Sequence, residues 1–124
     1  MLKLAQFKKS LLFTTIAGLS WIAIASTALA ERREVDIRLL ADRNEGFAVM
    51  VRKAEVLARS AAQRTFDREV LVSNVSVKVT AQNPNLDKAA IILQMRVSRR
   101  DWISRPDPKL WSTYFPMAQR LIGL

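Results

Sequence analysis

Between residues 96 and 114, cations and large aromatics interleave: Arg96, Arg99, Arg100, Arg105 and Lys109 with Trp102, Trp111 and Tyr114. Guanidinium groups offer forked hydrogen bonds to carboxylates and phosphates, and aromatic rings offer faces for stacking. Arg, Trp and Tyr are also the residue types most enriched at binding hot spots. The eight residues therefore suit an acidic partner: an envelope protein, an anionic glycan or a lipid head group. A packing role competes for the aromatics. A small domain needs its large side chains, and exposed aromatic patches are uncommon in monomers. On that reading Trp102 and Trp111 fasten the tail to the core and the arginines rim them.

Other chemistry is narrower. The chain has no histidine and no cysteine, which removes Ser-His-Asp and Cys-His nucleophiles, zinc sites built from those ligands, and redox dithiols. Beyond residue 30 the only glycines are Gly46 and Gly123, too few for a phosphate-cradling loop. No Asp/Asn-rich calcium loop occurs. The sequence calls for no cofactor and no metal. Two of Asp36, Asp42, Glu45, Asp101 and Asp107 could pair as acid and base, although helix capping and charge balance are the commoner uses of such acids. Ser76 and Lys78 share one strand face, where a Ser-Lys pair is formally available but a solvated face is the simpler reading. Asn74-Val75-Ser76 matches a glycosylation acceptor, which matters only in a eukaryotic secretory pathway.

The elements that must carry these residues follow from hydrophobic period. Residues 34–40 alternate, with Val35, Ile37 and Leu39 on one side. Asp42 or Asn44 offers a helix N-cap. Phe47, Met50, Val51, Ala54, Leu57, Ala58 and Ala61 then form a stripe at helical spacing, which predicts a helix over about 45–65 whose alanines allow close approach to a sheet. Glu55 and Arg59 are spaced for an ion pair on it. Residues 71–81 alternate again, Gln82 to Asp87 reads as a turn, and 88–99 is a third and more apolar strand. Its inner face would be Ala89, Ile91, Leu93, Met95 and Val97. The face opposite the helix would hold Val72, Asn74, Ser76, Lys78, Ile92, Gln94 and Arg96, a second candidate surface. The expected fold is α+β. It is a β-α-β-β unit with a three-stranded, mostly antiparallel sheet in the order 1-3-2, the most apolar strand central. One long helix covers one face, and a short helical tail starts at Asp107-Pro108.

The N-terminus reads as an export signal. Lys3, Lys8 and Lys9 precede an apolar run from Leu11 to Ala25, and Ala28 and Ala30 put small side chains at the positions a signal peptidase requires. Residues 1–30 are expected to be a helical signal peptide and 31–124 one small domain. An uncleaved anchor is the alternative, since Leu11 to Ala30 is just long enough to span a bilayer. With the three leader lysines set aside, 17 of the 20 basic residues remain against 11 acidic ones, a net +6. That charge attracts anionic partners, and export argues against nucleic acid. The sequence points to an exported, non-enzymatic binding or structural protein of the cell envelope. Its place would be the periplasm, an equivalent lumenal compartment or the medium, with membrane contact only through the leader. The alternatives are a small carboxylate-dependent wall-polymer hydrolase and a structural subunit joined through an exposed edge strand at 35–39 or 71–81.

Overall fold

Strand β1 (Glu31–Leu40) opens the described part of the chain and realises the first alternation. The computed structural model describes residues 31–42 and 44–124; the expected leader, with Ala28 and Ala30, lies outside them. Val35, Ile37 and Leu39 turn toward helix α1 (Phe47–Arg68), while Arg32, Glu34, Asp36 and Arg38 turn to the other face. The predicted stripe is the buried face of α1. Met50, Ala54, Ala58, Ala61, Ala62 and Phe66 are all buried, and the alanines bring the helix backbone close to the sheet. The N-cap is Gly46, not Asp42 or Asn44. Asp42 instead accepts a hydrogen bond at Oδ1 from the Asn44 backbone N–H at 3.0 Å, closing a turn ahead of the helix.

Two long strands follow, β2 (Val72–Asn83) and β3 (Lys88–Ser98), then α2 (Arg99–Ser104), α3 (Pro108–Trp111), a short β4 (Ser112–Tyr114) and α4 (Ala118–Leu121). The sheet is mixed and four-stranded, in the order β1-β2-β3-β4. β1 and β2 are parallel, with α1 as their crossover, and the other pairs are antiparallel. This corrects the expected three-stranded 1-3-2 sheet. The high apolarity of β3 suggested a position between the other two strands. β2 is equally buried, with Val75, Val77, Val79 and Ala81 all at most 2% exposed, and it takes that position. β3 gains its second neighbour from β4, a segment too short to show a period.

Two register breaks explain residues that stand on the wrong face by simple alternation. The β2–β3 register shifts after Val79, and Ile92 is the extra residue. Ile92 and Leu93 are consequently consecutive and both fully buried. Beyond the break the phase of β3 inverts, so Ala90, not Ala89, packs against the core. A second shift between Glu31 and Arg32 turns Val72 inward. Val72 and Ile92 therefore belong to the core rather than to the open face.

The C-terminus closes one end of the core through Ala118 and Ile122. Asn83, itself buried, donates from Nδ2 to the Ile122 carbonyl at 2.8 Å and accepts from the Asn85 backbone N–H at 3.1 Å, which ties the β2–β3 turn to the chain end. Gly123 sits at φ +78, and a Cβ there would lie 2.5 Å from the Leu86 side chain. Asp107 caps α3 and Pro108 occupies its first turn, as expected, but that helix stops after Trp111. Among the described residues no helix is long and apolar enough to cross a membrane.

Candidate functional site

The structure divides the eight predicted residues into internal fasteners and surface groups. Arg99 is the clearest fastener. Its Nε donates to the Val72 carbonyl at 2.9 Å, Nη1 to Phe66 at 2.9 Å and Nη2 to Glu69 at 2.7 Å, while the guanidinium lies 4.9 Å from the Phe66 ring centre. No glycine follows α1 to terminate it, and Glu69 is its C-cap. Arg99 serves in that role by donating to the Phe66 carbonyl of the last turn and by giving a second donor to the Glu69 carbonyl, which also accepts from the Val72 backbone N–H at 3.2 Å. Trp102 is 2% exposed, and its Nε1 donates to Gln63 Oε1 at 3.0 Å. Trp111 is half-buried, packs against the core, and donates from Nε1 to the Arg105 carbonyl at 2.8 Å. Tyr114 donates to Glu55 Oε2 at 2.7 Å, which takes Glu55 away from the expected partner Arg59. Partial burial of the phenol is the main cause that raises the Tyr114 pKa above its ordinary value, followed by the hydrogen bond and charge of Glu55 and the charge of Asp107.

Arg100, Arg105 and Lys109 are exposed, on α2, the following loop and α3. They do not converge with Arg96, which stands on the sheet face that α1 leaves uncovered. There Arg96 heads one row, Glu34–Ser76–Arg96, and a second row runs Asp36–Lys78–Gln94–Thr113. Each row crosses the sheet at strand spacing, so Glu34 and Arg96 stand roughly 10 Å apart. A concavity of about 450 Å³ lies over these rows, lined by Arg32, Glu34, Asp36, Ser76, Lys78 and Arg96 among others. A smaller hollow beside it is lined by Gln94, Arg96, Trp111 and Thr113. Arg96 is common to both. The open face thus runs from alternating charges on β1, Arg32, Glu34, Asp36 and Arg38, through hydroxyl and amide groups and Lys78, to Arg96 with Trp111 at the β4 side. Among the described residues none of Glu34, Asp36, Lys78 and Arg96 is within ion-pair distance of a partner; the ion pairs are Arg33–Glu69 and Lys53–Glu45.

Of the acids considered for catalysis, Glu45 is paired with Lys53, Asp42 closes its turn, and Asp107 caps α3 through the Lys109 N–H at 3.1 Å. Asp101 lies in the first turn of α2, which Ser98 caps. Asp36 alone of the five lies in the concavity, beside Glu34. Alternation over 34–40 puts Asp36 and Arg38 on the polar face, but Arg32 lies outside that span, and only the pairing of β1 with β2 brings Arg32 to Asn74, Glu34 to Ser76 and Asp36 to Lys78. The chain matches no known family model, no curated protein and no solved structure.

Proposed function

We propose that this is an exported, non-enzymatic binding protein of the cell envelope that holds an acidic partner on its open sheet face, with Arg96 as the central contact. The observation that carries this reading is the uncovered concavity in which Arg96 and Lys78 form no ion pair with the Glu34 and Asp36 carboxylates that also line it, Arg32 adds a third cation, and five neutral hydrogen-bonding side chains, Asn74, Ser76, Thr80, Gln94 and Thr113, share the face. A cation amid hydroxyl and amide groups with an aromatic at its side suits a carboxylate-bearing glycan strand. A lipid surface would call for an apolar rim there. The basic tail remains part of the proposal through Arg100, Arg105 and Lys109, which add to the field that draws an anion in.

Calorimetric titration with a uronic-acid oligosaccharide, against an uncharged glucose oligomer, tests it. Only the acidic oligomer is expected to bind, with affinity falling as salt rises. Arg96→Ala should weaken binding about tenfold or more, the usual worth of a hydrogen bond to a charged group. Equal binding of the neutral oligomer, or an Arg96→Ala, Lys78→Ala double variant that binds unchanged, would refute the reading. The Glu34 and Asp36 carboxylates favour the hydrolase as second reading. New reducing ends that appear in the same mixture and vanish with Asp36→Asn would establish it.

A further inference from the structure

Strand β1 is a terminal strand of the sheet. Hydrogen bonding to β2 satisfies one side of it, and no strand among the described residues pairs with its other side, which presents a row of backbone donors and acceptors along Glu31–Leu40. The register is unbroken from Arg32 to Leu40, so this edge is long and regular. Val35, Ile37 and Leu39 pack against the core yet stay half-open. An open groove of about 470 Å³ runs between the strand and α1, lined by Val35, Ile37, Ala61 and Thr65 with Arg64, Arg68 and Glu69.

Charged residues on an edge ordinarily guard it against pairing. Here their order also makes the strand self-complementary. In an antiparallel pair, residues directly opposite share a face. If two copies of β1 pair with Ile37 opposite Ile37, Asp36 faces Arg38 twice on the polar side. Val35 then faces Leu39 twice on the apolar side, and residues 34–40 of both copies are engaged. Neighbouring registers lack this match. Centring on Val35 sets Glu34 against Asp36 and Arg32 against Arg38, and centring on Asp36 sets that carboxylate against itself. We infer that β1 is a homodimer interface, two copies joining edge to edge about Ile37 into one continuous eight-stranded sheet. The apolar groove would be covered by the same residues of the second copy. Arg64 and Arg68 have stems long enough to turn their charges away from the two-fold axis. This uses no ligand and stands apart from the binding reading.

The absence of cysteine from the chain gives a clean test. Facing residues in an antiparallel pair have Cα atoms about 4.5–5.5 Å apart, within disulfide range. In protein expressed from the full chain, Ile37→Cys should therefore cross-link to a dimer on mild oxidation. Glu34→Cys should not, because its copies lie about 20 Å apart along the strands. Light scattering on the unmodified protein should give twice the mass of one chain. Asp36→Arg, at an exposed position, should weaken self-association on the order of tenfold, and adding Arg38→Asp should restore it. A monomeric mass at every concentration would overturn the inference and leave the edge to a strand of another protein. So would equal cross-linking at Glu34→Cys, or a charge-swapped double variant no tighter than Asp36→Arg.

Discussion

Arg99 and Arg100 are neighbours in sequence with opposite duties. Arg99 is spent on three carbonyls at the end of α1 and the start of β2, whereas Arg100 is exposed and makes no side-chain hydrogen bond among the described residues. Arg99→Ala should cost about 2–3 kcal/mol, because it removes three charge-assisted hydrogen bonds and takes the Arg99 donor from the Phe66 carbonyl at the helix end, and Arg99→Lys should not rescue it, since one ammonium cannot reach all three. Arg100→Ala should fall within about 0.5 kcal/mol of the parent. Urea unfolding of the three variants checks this. Tyr114 carries the clearest pH signature. The folded state holds its phenol proton more tightly than the unfolded chain, whose phenol titrates near the ordinary 10.0. The stabilisation is therefore complete below about pH 10 and is lost as pH rises from there through the folded value. Tyr114 is the chain's single tyrosine, so tyrosinate absorbance reads it directly. The titration midpoint should lie above 10.0 in the folded protein and return toward it on unfolding, and Tyr114→Phe should remove that part of the alkaline loss.

At the scale of elements, the sheet and α1 meet across alanine. Ala54, Ala58 and Ala62 have no exposed surface and lie over the valine rows of β2. Small residues set that close spacing, so added volume has nowhere to go. Ala58→Leu should destabilise by roughly 1–3 kcal/mol through overpacking, measurable as a lower denaturation midpoint with unchanged slope. The same element shows how local signals and distant contacts divide the work. The stripe that makes α1 helical is readable from its three-and-four spacing. Its C-terminal end is not, because the group that covers its carbonyls arrives about thirty residues later. Sequence residues 112–114 read as helix after Asp107-Pro108 and became β4 only because β3 offered a free edge to Leu93 and Met95.

For the whole molecule, the proposed export leader carries a prediction of its own. Protein expressed from the full chain in a bacterium with two membranes should be recovered outside the cytoplasm with Glu31 as its first residue; mass spectrometry that finds Met1 retained on cytosolic protein would overturn the export reading. Sequence by itself determined the α+β class, the positions of three strands and the long helix, the polar face that includes Arg96, and the absence of histidine and cysteine chemistry. All of these are properties of composition or of period over neighbouring residues. Tertiary structure alone decided the strand order, the inward turn of Val72 and Ile92, the use of Arg99 and Trp102 as internal fasteners, and the hydrogen bond of the exposed Tyr114 to Glu55. Each depends on a partner distant along the chain, 27–33 residues away for Arg99, 39 for Trp102 and 59 for Tyr114. Hydrophobic period says which way a side chain faces. What it meets there is set by which strands pair and where a register slips, and those choices are made by the packed chain as a whole.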